Sequence, residues 1–423
     1  MPRPEHSISR SNISESALKV LYRLKKAGYE SYLVGGGVRD LLLGGKPKDF
    51  DIATDALPEQ IKSLFGNSRI IGRRFKLVHV RFGREIIEVA TFRSHHEQAE
   101  TDEQGMMEDG LIIRDNVYGT LEEDAFRRDF TVNALYYNIA DFSVIDYTQG
   151  MVDLKNRTLR MIGKTEVRLQ EDPVRMLRAI RFAAKLGFHL EDSLKNEIQT
   201  QGERLDMVPA ARLFDEILKL FMSGHAAQTF QLLMEFNLFP HLFLQTHDCM
   251  KGNNEYVQEF VLQGLVNTDK RIAEEKPVTP AFLFAVLLWP AVARHKASLL
   301  DSGLSPLQSL LVAGRDIISE QIPQVAIPKR FRQMMIDIWV FQARLEQRRG
   351  KRPVRLVTHP RFRAAYDFML LRNQAGENIQ ELCDWWTHFQ EANEGERHLM
   401  CKAQGGKKKH RRTRPGKNTS PDT

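Results

Sequence analysis

Leu33-Val34-Gly35-Gly36-Gly37-Val38-Arg39-Asp40-Leu41-Leu42-Leu43-Gly44, followed by Lys48-Asp49-Phe50-Asp51-Ile52-Ala53, decides the reading of this 423-residue chain. Tyr32-Leu33-Val34 reads as a short buried strand, the three glycines as a turn, and Val38 to Leu43 as a short helix stopped by Gly44-Gly45. Asp49 to Ala53 then alternates polar and apolar, the period of a half-buried strand. Two familiar phosphate loops fail here. The dinucleotide fingerprint needs a third glycine where Asp40 stands, and the P-loop needs glycine at Asp40 and Ser or Thr at Pro47. A glycine turn that opens a helix can still cradle phosphate on its backbone amides.

The neighbouring Asp49 and Asp51 give that turn its meaning. On a strand, residues two apart share a face, with Cα atoms roughly 7 Å apart, while Phe50 and Ile52 face the core. Two hard oxygen ligands beside a phosphate-binding turn suit Mg2+, which takes few carboxylates plus substrate phosphates and water. The implied chemistry is phosphoryl or nucleotidyl transfer by in-line displacement. A third carboxylate is sought at Asp129, in Arg127-Arg128-Asp129-Phe130, or at Glu88, in the run Glu85 to Phe92. Asp129 is preferred, with both left open. A DxD pair alone is common in solvated strands and turns, Glu88 fits a solvated strand position, and Asp129 fits an ion pair within its own helix.

Downstream, Glu171-Asp172-Pro173 starts a helix on which Arg175, Arg178 and Arg181 form a basic stripe opposite Leu177, Ile180 and Ala184. Arginine forks match phosphate oxygens or a base edge, and Asp172 is expected both to cap this helix and to orient Arg175.

Around these motifs the first third mixes strands and helices. A helix is expected over Pro58 to Phe65, a hairpin over Phe75 to Phe92 turning at Gly83-Arg84, and a polar, mobile loop over 94 to 110. A helix through Glu122 to Tyr137 and strands near Val144 and Leu159 complete the domain. From Thr165 the pattern is helical throughout. The expected organisation is an α/β head over 17–164, a helical neck over 165–240, an all-α body over 241–400 and a disordered basic tail over 401–423.

Charge supports a polyanionic partner. The formal +7 is carried by the tail, where 402–423 hold eight basic residues against Asp422, leaving the first 401 neutral. Within that neutral body, 329–372 hold twelve Lys/Arg against three acids. A basic region of this kind points to nucleic acid before membrane. Arg348, Arg349, Lys351 and Arg352, with Lys407, Lys408, Lys409, Arg411 and Arg412 in the tail, are candidate RNA-backbone contacts. Trp385, Trp386 and Phe362 are candidates for base stacking, with core packing the stronger expectation. At 42% hydrophobic and 27% charged the composition is globular. The apolar stretch Ala281 to Val292 is too short to span a bilayer, and a soluble, cytoplasmic protein is expected. Cys249, Cys383 and Cys401 have neither disulfide nor zinc-ligand spacing.

The ordered motifs resemble the class II nucleotidyltransferase superfamily, which holds the tRNA CCA-adding enzymes and the bacterial poly(A) polymerases. The glycine turn with Lys48-Asp49-Phe50-Asp51 resembles its head, Arg127 to Leu135 its second motif, and Glu171 to Phe182 its nucleobase-recognition helix. Pro209 to Glu216, Asp337-Ile338-Trp339, Arg348 to Arg352, His359 to Asp367, Trp385-Trp386 and the basic tail are similar to the poly(A) polymerase branch. The resemblance implies an α/β nucleotidyltransferase head with a small mixed sheet and helices. It also implies template-independent addition of AMP from ATP to RNA 3′ ends with two Mg2+ ions and release of pyrophosphate. It assigns Asp49 and Asp51 to metal, and Gly35, Gly36 and Arg39 to the triphosphate. Arg128, Asp129 and Asn133 go to the sugar and phosphates, and Asp172, Arg175 and Arg178 to the neighbourhood of the base. The alternatives are a CCA-adding enzyme with the same head and a non-catalytic RNA-binding protein. Accessory RNA-decay or RNA-chaperone proteins are not legible in the sequence.

Overall fold

The computed structural model describes all residues except 73–75, 95–104, 109–110, 116, 253–254 and 404–423, and only the backbone of 105–108, 111–115 and 403. Two compact units result, Met1–Leu242 and Phe243–Thr423. In the first, the strands are β1 (Ser31–Val34), β2 (Asp51–Thr54), β3 (Ser68–Ile71), β4 (Leu77–Phe82), β5 (Glu85–Thr91), β6 (Gly105–Glu108), β7 (Leu111–Asp115), β8 (Leu135–Asn138), β9 (Val144–Asp146), β10 (Thr158–Leu159) and β11 (His189–Leu190). Seven of them form one mixed sheet in the order β3-β4-β5-β2-β1-β8-β9. Within this sheet, among the described residues, only the β2–β5 pair is parallel. The expected mixed-sheet head is therefore present.

The central strands are short and apolar on the packed side. Leu33, Ile52, Val78, Val80, Ile87 and Val89 are buried, as the period-2 pattern requires. The Glu15–Lys26 helix covers one side with Ala17, Val20, Leu21 and Leu24, its first turn capped by the Ser14 side chain. The β4–β5 hairpin turns at Gly83-Arg84, with Gly83 at φ 61°.

Four expectations need correction. Asp49 lies two residues before β2, which begins at Asp51, so the expected strand does not include both aspartates. The expected helix from Glu122 to Tyr137 ends at Arg127; Arg128 is extended (φ −63°, ψ 165°), and Leu135–Asn138 is a central strand. Part of the expected loop over 94–110 is strand, because β6 pairs antiparallel with β7; the remainder lies outside the described residues. The region after Thr165 is not purely helical, since β11 pairs in parallel with β10.

The second unit is built of helices, among them Glu255–Ala273, Pro280–Asp301, Pro306–Gln321, Lys329–Leu345, Phe362–Gln374 and Gln380–Glu391. Among the described residues, only Pro280–Asp301 is long and apolar enough to cross a membrane. It is a core helix, with every residue from Leu283 to Val292 buried. Gly314 lets the Pro306–Gln321 and Lys329–Leu345 helices pack closely: an added Cβ would lie 2.9 Å from the Trp339 ring. Phe362 and Trp386 are buried in a cluster with Phe341, Tyr366 and Phe389, and Trp386 Nε1 donates to Leu345 O at 2.8 Å. Core packing thus accounts for these two aromatics, while Trp385 is partly buried and stacks on Phe389. The three cysteines are buried and unpaired.

Candidate active site

β1 ends at Val34, and the chain turns sharply at Gly35 (φ 72°, ψ −132°), a conformation that disfavours any residue with a Cβ. The helix Gly36–Leu42 begins immediately, so the first amides of this helix have no intrahelical acceptor. The turn is braced on both sides. Gly35 N donates to Leu135 O at 3.2 Å, and a Cβ on Gly37 would lie 3.5 Å from both Asp49 O and the Phe50 ring. Phe50 is buried, which anchors the carboxylate-bearing loop against the turn.

Strand register brings the next group together. Tyr136, Val34, Asp51, Glu88 and His79 are successive cross-strand partners in one row over β8, β1, β2, β5 and β4. Lateral neighbours in a sheet project to the same face. Burial, and then the charges of Glu88 and Asp49, push the Asp51 carboxyl up to about 6, against the pull of Arg128. His79 Nε2 and Glu88 Oε1 are 3.0 Å apart. Among the described residues no group of three His, Cys, Asp or Glu side chains is preformed to hold a metal ion. Magnesium does not need one, because it is completed by substrate phosphates and water. The accumulation of negative charge around Asp51 fits a divalent cation, and Asp49 and Asp51 are the residues that would hold it.

Asp129 is placed differently from Glu88. Its Oδ1 accepts from Phe130 N at 2.8 Å and Asn133 Nδ2 at 3.2 Å. Its Oδ2 accepts from Arg178 Nε at 2.7 Å and from Arg178 Nη2. Burial alone would raise this carboxyl, but Arg178 and the other donors hold it down at about 2. The ion pair expected within one helix is instead long-range, because the 121–127 helix stops before Asp129 and the segment turns toward the Val174–Leu186 helix.

Asn133 continues the chain of contacts: its Oδ1 accepts from Arg39 Nη1 at 2.5 Å. Arg39, buried, donates from Nε and Nη2 to Asp40 Oδ1 at 2.9 and 2.7 Å, and its guanidinium lies 5.3 Å from the Phe182 ring centroid. Asp40, Arg39, Asn133, Asp129 and Arg178 thus form one hydrogen-bonded series joining the glycine-turn helix, the 127–133 segment and the arginine helix. Arg39 is committed to this series. Arg128, by contrast, uses Nε and Nη2 on Asp124 Oδ2 (3.2 and 2.9 Å) and Nε on Tyr136 Oη (3.0 Å), leaving Nη1 toward Gly35. Burial works against its charge, but Tyr136 and Asp124 outweigh burial and raise its pKa.

The expectation that Asp172 orients Arg175 is corrected. Asp172 Oδ1 accepts from Val174 N at 3.3 Å, but its Oδ2 takes Arg212 Nη2 at 2.7 Å. Arg175 Nη1 is held by Glu171 Oε2 at 2.8 Å and Arg168 O at 2.5 Å. Asp172 thus bonds the first amide of the helix that carries Arg175, as expected, but its charge partner is Arg212 and not Arg175. Spacing alone missed Arg212, Arg168, Asp124 and Tyr136. Arg168 Nη2 clasps the carbonyls of Arg127 and Arg128 at 2.5 and 2.8 Å; the signal for Arg212 was present in Pro209-Ala210-Ala211-Arg212. Arg181 Nε is buried without a hydrogen-bond partner.

In the second unit, Arg348 is paired with Glu381 at 3.0 Å, whereas Arg349, Lys351 and Arg352 are exposed. Lys407, Lys408, Lys409, Arg411 and Arg412 lie outside the described residues.

Comparison with known proteins places this geometry in a family. Three family models match: a poly A polymerase head domain over 31–160, a probable RNA and SrmB-binding site of polymerase A over 187–250, and a polymerase A arginine-rich C-terminus over 302–418. Poly(A) polymerase I of Salmonella typhimurium is 50% identical over 396 residues, covering 92% of this chain and 85% of its own length. The Haemophilus influenzae poly(A) polymerase I is 43% identical, covering 98% and 94%. A Lactobacillus helveticus CCA-adding enzyme is 38% identical but covers only 52% of this chain and 53% of its own. Among solved structures, a tRNA-processing enzyme in apo form has the same fold at TM-score 0.63 and 21% identity, covering 93% of this chain and 99% of its own. Coverage separates the two branches, since the poly(A) relatives match nearly the whole chain and the CCA-adding relative half of it. The chain belongs to the poly(A) polymerase I family of polynucleotide adenylyltransferases.

Proposed function

We propose that this chain extends RNA 3′ ends with AMP from ATP without a template, releasing pyrophosphate at the site framed by Gly35, Asp49, Asp51 and Glu88. The observation that carries the reading is the cross-strand row placing Asp51 beside Glu88 at the end of the sheet where the glycine turn begins. Magnesium bound at Asp49 and Asp51 would supply Lewis-acid activation of the 3′-hydroxyl and neutralise charge on the departing pyrophosphate, in a two-metal arrangement. Gly36 and Gly37 amides receive phosphate oxygens, and Arg128 Nη1 supplies positive charge at the turn. Asp129 and Asn133 hold Arg178 and Arg39 in place instead of ligating metal, so the third carboxylate is assigned to Glu88. Arg181, and Arg178 through the Nη1 that it does not use on Asp129, are the arginines of this helix offered to the nucleotide, with Asp172 and Arg175 fixing the helix start. Arg349, Lys351 and Arg352 contact the RNA backbone, giving salt-dependent, weakly sequence-selective binding. Three buried thiols and an RNA substrate fit the cytoplasm.

The reaction is tested by counting products. Incubated with RNA, ATP and Mg2+, the chain should release one pyrophosphate per AMP incorporated, and RNA oxidised at its 3′ terminal sugar should not be extended. Extension of the oxidised RNA, or release of phosphate without incorporation, would contradict the proposal.

The carboxylate assignment gives a separate expectation. Glu88→Gln should raise the Mg2+ concentration for half-maximal transfer about tenfold, and weaken Mn2+ binding measured by calorimetry in parallel. Because Asp51 titrates near 6, apparent metal affinity in the unsubstituted chain should fall by about tenfold per pH unit below that value. Unchanged metal dependence in Glu88→Gln would return the third position to Asp129.

A further inference from the structure

The Phe243–Thr423 unit contains a cavity of about 540 Å³ bounded by the ends of the Glu255–Ala273 and Pro280–Asp301 helices and by the Lys329–Leu345 and Phe362–Gln374 helices. Its size lies within the roughly 300–1,000 Å³ of small-ligand sites. Phe282, Met334, Ile338 and Leu370 give it an apolar floor; Ile338 is buried and the other three are half-buried. The rim is cationic, with five basic side chains against Glu274 and Asp367.

Both acids are already matched. Glu274 pairs with Lys276 at 2.7 Å, and Asp367 with Arg363 at 3.0 Å. Three cations remain. Arg271 donates to the neutral carbonyl of Pro277 at 3.3 and 3.1 Å. Arg361 reaches Asp337 only at 3.9 Å, and Lys270 is exposed. Lys276 first, with Lys270 and Arg271 adding to it, lowers the Glu274 carboxyl, which registers the positive field on that side.

An apolar floor containing the Phe282 ring, with cations on its rim, matches a ligand with an aromatic body and anionic groups, which describes a nucleotide better than an acidic peptide, whose carboxylates carry no such body. The cations come from two separate segments, 270–276 and 361–363, so a strand with phosphates on both sides of a base offers both groups a partner where one free nucleotide offers its phosphates on one side alone.

We propose that this cavity binds one base of the single-stranded RNA substrate, upstream of the 3′ end being extended. The base packs on the floor beside Phe282, and its flanking phosphates meet Lys270, Arg271 and Arg361. The inference rests on the RNA-extending reading above and adds to it a specific subsite remote in sequence from the head.

The test is the affinity of the full chain for a fluorescein-labelled oligoadenylate of about 15 nucleotides, measured by anisotropy across a salt series. Lys270→Glu with Arg361→Glu should weaken binding at least tenfold and reduce the salt slope by about one or more. Phe282→Leu should weaken it about fivefold, and Phe282→Tyr, which keeps the ring, should restore it. Unchanged affinity and salt slope in the charge-reversed variant would overturn the proposal. So would ATP alone or an oligoglutamate peptide binding in a manner that depends on Arg361 and Phe282 while RNA binding does not. AMP incorporation by the unsubstituted chain is scored separately: incorporation without these binding effects rejects the subsite alone, and no incorporation with them rejects the transferase reading alone.

Discussion

Asp51→Asn should lower AMP incorporation by about a thousandfold or more and, at the same time, raise the stability of the metal-free chain. The loss follows from removing a ligand whose metal contributes several kcal/mol to transition-state charge stabilisation. The gain follows from burial and like charge. The Asp51 carboxyl is pushed up to about 6 by burial, Glu88 and Asp49, so its ionised form costs the fold on the order of 3 kcal/mol at pH 7. A carboxyl whose folded pKa is raised destabilises the fold progressively as pH climbs from about 4 to about 6, and by a constant amount above that. The stability advantage of Asp51→Asn should therefore be greatest above pH 6 and vanish near pH 4. With Mg2+ present the order should reverse, because the ion stabilises the parent and not the variant. Thermal denaturation with and without Mg2+ at pH 4.5 and 7.5 checks all of these; a variant less stable than the parent without metal would show that Asp51 is a structural carboxylate.

Arg178→Ala should be the most damaging single change away from the carboxylates. It strips Asp129 of its charge partner while Asp129 itself stays buried. Breaking such a pair costs roughly 3–5 kcal/mol, and the partial exposure of Arg178 places the expected loss near the lower end, about 3 kcal/mol. Transfer should fall by at least a hundredfold, because Asn133 and Arg39 hang on the same series of hydrogen bonds. Asp129 has a depressed pKa of about 2, so the stabilisation from the pair is complete above pH 4 and disappears as pH falls toward 2. Hydrogen exchange of the 129–133 amides in parent and variant at pH 7 and pH 3 measures this. Equal protection in the two at pH 7 would mean that the series does not hold the site together.

Local pattern carried the head a long way. The strand, glycine turn and short helix over 32–43, the hairpin at Gly83-Arg84 and the helices around 58–64, 174–186 and 210–221 all follow from periodicity and breakers. The misreadings share a physical origin. Phe130, Val132 and Leu135 have apolar spacing that also suits a helix, yet the chain breaks at Arg128 because Arg168 binds the 127 and 128 carbonyls and Asp129 binds Arg178. Nothing within that segment encodes partners about 40 and 49 residues away. The β6–β7 pairing was obscured by an acidic, polar run, although Asp109-Gly110 between the strands is itself a turn signal. Asp51 and Glu88 were each visible, but their adjacency depends on the parallel β2–β5 register, which no local pattern specifies.

The most direct test of the central claim offers the full chain a generic RNA with Mg2+ and one nucleoside triphosphate at a time. ATP alone should yield a long adenylate homopolymer, with little or no incorporation from CTP. A requirement for CTP with arrest after three added nucleotides, or no incorporation from any triphosphate, would contradict the account.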